Sequence, residues 1–182
     1  RYARRIKSGY RSVMKEIIIG GSRMMQVSEN PIILISLKSE LDFSVLNISE
    51  KETILKKHFS IDTYRDFHQS HGDNIFGIDR NSDSFDGFYT NRKKEAYGIK
   101  TADCIPLILW NPKKTILFGL HCGWRGLLAG IVEKALNSNS GIEVTHAFIG
   151  PHISHKHFEV KKDFIEAFTS SKINIDRFII NI

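Results

Sequence analysis

The chain has 182 residues, 41% hydrophobic and 25% charged, which suffices for one soluble domain with a real core and falls short of two. No apolar run reaches the roughly 20 residues of a membrane-spanning helix, so an integral membrane protein is not expected. The formal charge of +6 sits at the front, where Arg1, Arg4, Arg5, Lys7, Arg11, Lys15 and Arg23 face the lone acid Glu16; from Met24 onward basic and acidic groups balance. The charge thus describes a leader over residues 1–23 and no phosphate-tracking groove on the body, and nucleic acid is not expected as a partner. A targeting peptide, a native basic arm and an extension of upstream or cloning origin compete for that leader. The extension is favoured, because "MMQVSENPIILISL" reads as a start followed by a first strand, with one domain over 24–182.

In chain order, Pro31–Leu37 and Phe43–Ile48 read as strands, and Ser49–Phe59 as a helix with a Ser cap and early acids. A strand interrupted at His71 and Gly72 follows, then a turn-rich stretch over 80–98 expected as a surface loop with a short strand near its end. Ile105–Trp110 and Thr115–His121 flank "NPKK" as a hairpin of two buried strands. From Leu127, apolar residues at 127, 128, 131, 132, 135 and 136 have the spacing of a helix with one buried face. Thr145–Gly150 reads as a further strand and Phe158–Ser171 as a last helix. Hairpin pairings mixed with helices make the class α/β or α+β around a mixed sheet.

Chemistry gathers at element ends. Cys104 precedes one strand of the hairpin and His121 ends the other, so antiparallel pairing brings both to one edge of the sheet. With His71 they form a two-histidine, one-thiolate set, the donor count of a catalytic zinc site with an open fourth position. Two alternatives stay open: a Cys-His hydrolase with Cys104 as nucleophile and His121 as base, and a purely structural cysteine and histidines. Asp103 is a candidate to orient a ligand histidine, or to cap a turn. Arg125, between Gly123 and Gly126 at a helix start, suits an anion such as phosphate, with a surface salt bridge as the alternative. Trp124 packs or stacks on a flat base. His152, His155 and His157 near Glu159 offer the donor types of a second metal site, a solvated loop being the default. Two cysteines without a secretory segment point to a reducing, cytoplasmic compartment.

The segments "HG" at 71–72, "DGFYT" at 86–90, "TADCIPLIL" at 101–109, "HCGWRGLLAGIVEKA" at 121–135 and "IGPHIS…FEV" at 149–160 resemble, in order, the signatures of the YfiH (DUF152, laccase-domain or "multicopper polyphenol oxidase") family. The resemblance covers about residues 65 to 170. It implies a four-layer α/β/β/α fold with mixed sheets and a metal, usually zinc, on His71, Cys104 and His121. It further implies purine nucleoside phosphorylase chemistry on adenosine, inosine or methylthioadenosine and deamination of adenosine, with a nucleoside and phosphate as partners, no membrane, and a possible homodimer. Cys104, Asp103 and Arg125 become the candidate catalytic residues, and Arg125, Gly123 and Gly126 the candidate substrate-binding ones. Editing of peptidoglycan precursors by an amide hydrolase and a non-catalytic metal-binding module are the alternatives. A copper laccase is disfavoured, because it needs a separate multi-histidine cluster and only His71 and His121 fall in recognisable ligand positions.

Departures accompany the resemblance. Cys122 stands where the family commonly has Ala, and strand alternation turns its side chain away from that of His121, toward packing. The family's "TR-GGVS" segment is missing from "ISLKSELDFSVLN". The chain stops at Ile182, where relatives continue, so the family's C-terminal portion is expected to be lacking.

Overall fold

In the computed structural model the structure describes residues 14–38, 40, 42–113, 116–138 and 143–171. They pack as two compact units. The first holds the described residues up to Arg65 with Lys93–Ala96, the second Asp66–Arg92 and the described residues from Tyr97 onward.

The first unit opens with an antiparallel meander, β1 (Lys15–Ile19), β2 (Ser22–Glu29) and β3 (Ile32–Ser36), in that order across the sheet. The two-residue turn Gly20-Gly21 has φ of 57° and 88°, conformations that suit glycine and match the twist of a tight hairpin. Residues 15–23, assigned from their charge to a leader, thus supply β1 and the start of β2. Residues 1–13 of that leader lie outside the described residues. The strand expected at Phe43–Ile48 is a 3-10 turn, Phe43–Val45. Asp42 accepts from the Ser44 N–H at 2.8 Å, and such a local bond diverts the backbone from a ladder. Helix α1 (Ile48–Phe59) begins one residue before Ser49, because Asn47, not Ser49, is the cap, in a reciprocal capping box with Glu50. The unit's core is Ile19, Met24, Phe43, Leu55 and Tyr64, the last on β4 (Thr63–Arg65).

The second unit is a five-stranded mixed sheet. Strands β5 (Ile75–Phe76) and β6 (Gly87–Thr90) pair in parallel, so residues 87–90, expected in a surface loop, form an interior strand. Small side chains permit this: an added Cβ on Gly87 would lie 2.7 Å from Leu120, and the Phe88 ring lies where a side chain on Gly119 would be. The next strand, β7 (Glu95–Tyr97), returns through Lys93–Ala96 to the first unit and pairs there with β4. The expected hairpin is β8 (Ile105–Asn111) against β9 (Ile116–Cys122), in register from Ile105↔Cys122 to Asn111↔Ile116.

The single helix expected from Leu127 is two, α2 (Trp124–Ala129) and α3 (Ile131–Asn137). Gly130, at φ 87°, ends one and starts the other. Strand β10 (His146–Ile149) joins the edge beside β8, and α4 (Lys162–Ser170) starts four residues later than expected. The sheet order is β10-β8-β9-β6-β5, and Ile75, Leu109, Phe118, Leu120, Cys122, Ile131 and Ala135 lie at its core. No helix among the described residues is long and apolar enough to cross a membrane.

Candidate metal centre

His71, Cys104 and His121 all belong to the second unit, and their ligand atoms lie within 4.8 Å of one another. The hairpin register explains two of them. Pro106 pairs with His121 and Ile105 with Cys122, so Cys104 falls opposite Gly123, on the same face as His121. An added Cβ on Gly123 would lie 3.0 Å from the His71 ring and 3.3 Å from the Cys104 sulfur. His71 enters from the loop before β5 in the left-handed region, at φ 63°, and its ring meets that of His121 edge to face at 4.7 Å.

The loop carrying His71 is held by Asp86, a carboxylate with no solvent exposure. It accepts from the backbone N–H groups of Ser70 (3.0 Å), His71 (2.9 Å) and Gly72 (2.8 Å), and its Oδ1 lies 2.8 Å from His121 Nδ1. Burial pushes the Asp86 carboxyl up, but the bonds from His121 and the three N–H groups outweigh it and hold the group below the usual carboxylate range. An ionised carboxylate only accepts, so His121 carries its proton on Nδ1 and leaves Nε2 free to ligate.

Asp86, not the candidate Asp103, is therefore the carboxylate on a ligand histidine, and the sequence reading did not single it out. The available signal was its place at the head of "DGFYT". Asp103 is exposed, and its carbonyl accepts from Ile153 N–H at 3.0 Å. Burial first, then the charges of Asp103 and Asp86, push the Cys104 thiol above its ordinary value. That is the reverse of what an unassisted Cys-His nucleophile requires, whereas a bound cation stabilises the thiolate.

Other candidates lie elsewhere. The Arg125 guanidinium bonds Asp163 at 2.8 Å and lies 4.1 Å from the Trp124 ring, the surface salt bridge that was the alternative to an anion site. Trp124 packs against Phe164 and Phe168. Gly126 is buried, and an added Cβ would meet the Gly72 carbonyl at 2.5 Å, so this glycine lets α2 lie against the His71 loop. Cys122 is buried in the core, where burial pushes its thiol up to about 12. His152, His155, His157 and Glu159 do not converge among the described residues, and His152 Nδ1 pairs with the Gly150 carbonyl at 2.8 Å.

The three candidate ligand residues line an open cleft of about 760 Å³, together with Asp66, Phe67, His68, Gln69 and Lys100–Asp103. Fold and site define a mixed α/β protein with a candidate His₂Cys metal centre in a cleft. Residues 21–181 match the family described as multi-copper polyphenol oxidoreductase laccase, and the chain belongs to it. Its fold is that of the YfiH protein of Bacillus licheniformis, with a TM-score of 0.64 at 18% identity over 87% of this chain and 74% of that one. A purine nucleoside phosphorylase of Rickettsia conorii is 26% identical over 150 residues, 80% of this chain and 62% of the relative. An adenosine deaminase from an unknown prokaryotic organism is 28% identical over 99 residues, 52% of this chain and 38% of the relative. The chain thus spans less than two thirds of the length of these relatives.

Proposed function

We propose that the protein is a zinc-dependent purine nucleoside enzyme of the cytoplasm. Its reactions are phosphorolysis of adenosine, inosine or methylthioadenosine, a transferase step, and deamination of adenosine, a hydrolase step. The observation that carries this is the convergence of His71, Cys104 and His121 within 4.8 Å in the lining of an open cleft. The names of the relatives point to the same substrate class.

Two imidazoles and one thiolate are the donors of a catalytic zinc site with one open position, and the residues present fit that ion. Zinc, when bound there, supplies a Lewis acid and a hydroxide source near neutral pH. Asp86 holds both histidine segments, and Gly123 leaves room for the His71 ring beside Cys104. The cleft volume falls in the range of small-molecule sites, and the aromatic Phe67 is among its lining residues. Copper oxidase chemistry is disfavoured because, among the described residues, His71, Cys104 and His121 are the group that converges on one ion. Two free cysteines suit a reducing compartment.

The test is product analysis by mass spectrometry of adenosine incubated with the protein, with and without phosphate, beside Cys104→Ala. Adenine with ribose 1-phosphate, or inosine, formed only with the intact cysteine supports the proposal. Bound zinc with no product makes the protein a metal-binding module. Activity on amides that survives chelation and is lost in Cys104→Ser makes it a Cys-His hydrolase.

A further inference from the structure

Phosphorolysis needs phosphate inside the cleft, and Arg125, held by Asp163 and Trp124, does not line it. Among the described residues lining the cleft, Lys100 is the lone lysine or arginine. Its backbone is fixed by one side chain: Gln69 Nε2 donates to the Lys100 carbonyl and the Lys100 N–H donates to Gln69 Oε1, both at 2.8 Å. The ammonium reaches back to within 3.3 Å of Asp66, which lines the same cleft. The lysine side chain is 59% exposed and that of Asp66 19%, so a mobile ammonium on a flexible stem stands beside a carboxylate held in the cleft lining.

We infer that Lys100 and Asp66 form the phosphate subsite of the cleft, selective for hydrogen phosphate. This rests on the phosphorylase reading above. The ammonium binds an oxyanion of the phosphate, and the Asp66 carboxylate accepts the hydrogen bond of its remaining P–OH. A carboxylate beside a lysine repels a fully deprotonated anion such as sulfate, which has no proton to offer, and tolerates hydrogen phosphate, which has one. In the reaction a phosphate oxygen forms a bond to ribose C1′ as the C1′–N9 bond breaks. The electron pair leaves on the purine, and the purine takes up the proton that hydrogen phosphate loses. Deamination uses water and needs neither residue for that purpose.

Calorimetric titration of the zinc-loaded protein with inorganic phosphate and with sulfate tests the subsite directly. The expected result is phosphate binding that weakens about tenfold or more in Lys100→Met, returns in Lys100→Arg, and exceeds sulfate binding. In Asp66→Asn the preference for phosphate over sulfate shrinks. In turnover with saturating adenosine, Lys100→Met raises the KM for phosphate, and Lys100→Arg restores it. Equal binding of phosphate and sulfate, or phosphate binding that Arg125→Met weakens and Lys100→Met does not, overturns the inference. So does phosphate binding that only chelation removes. Phosphate binding of the expected pattern without any nucleoside turnover sinks the enzyme reading and leaves the subsite standing, whereas deamination with no phosphate binding does the reverse.

Discussion

Asp86 joins the two histidine ligands through different parts of each: the backbone of His71 and the ring of His121. Because it is fully buried, removing it leaves three N–H groups and an imidazole without their acceptor. Asp86→Ala is therefore expected to destabilise the protein by about 3 kcal/mol or more, measured by denaturant unfolding. Asp86→Asn keeps the shape but replaces a pure acceptor with an amide, and zinc affinity is expected to fall roughly 10- to 100-fold in a chelator competition assay. A loss of that size in Asp103→Asn, with Asp86→Asn unaffected, would instead restore the role that the sequence reading gave Asp103. The meeting of Cys104 and His121 was legible, because a hairpin of known strand lengths fixes which residues share an edge and a face; His71 joins them from outside the hairpin. Asp86 was not, since its partners lie between 14 and 35 residues away and an acid before glycine in a polar stretch looks like any solvated turn.

At the scale of elements, the site depends on α2 and α3 lying close to the loop that carries His71. Gly126→Ala forces its methyl onto the Gly72 carbonyl, a backbone atom that moves only with its neighbour His71. The expected outcome is a loss of about 1–3 kcal/mol in stability together with weakened zinc binding. Gly130→Ala provides the contrast. There the added Cβ meets nothing closer than 3.6 Å, but φ is 87°, so the variant is expected to lose about 1–2 kcal/mol with zinc affinity unchanged. On α3, Lys134 bridges Asp79 at 3.0 Å and Asp73 at 3.3 Å. Partial burial lowers its pKa, and the bonds to Asp79 and Asp73 outweigh this and raise it. A raised lysine stabilises fully below its unfolded value, about 10.4, and the stabilisation is lost as pH rises through the folded value. The gap in Tm between wild type and Lys134→Met should accordingly be constant at neutral pH and close in strong alkali. The apolar spacing from residue 127 located this helical region correctly but ran through Gly130, because periodicity does not register a single left-handed residue. The same blindness to turn chemistry put a strand over Phe43–Ile48, where Asp42 caps a 3-10 turn.

For the whole molecule, the candidate metal ligands, Asp86 and the cleft lining all fall within the second unit, between Asp66 and His121. The family match, by contrast, begins at residue 21 and runs through both units. Net charge was the least informative whole-chain property. It marked off residues 1–23 as a leader, yet within it residues 15–23, with three isoleucines followed by Gly-Gly, make a hairpin whatever their charge. Metal binding offers the test at this scale, because an ion that binds the folded state alone stabilises it by mass action, about 2.7 kcal/mol at a free concentration 100 times Kd. Zinc is expected to raise Tm progressively with its concentration, and chelation to reverse the rise. Cys104→Ser, which keeps the side-chain size and removes the thiolate, should abolish most of that dependence. Cys122→Ala removes a buried thiol outside the ligand set, so it should lower Tm by a fixed amount and keep the full zinc response. If Cys122→Ala instead erased the zinc response and Cys104→Ser kept it, the ion would lie on the core face of β9, and the cleft would hold no metal centre.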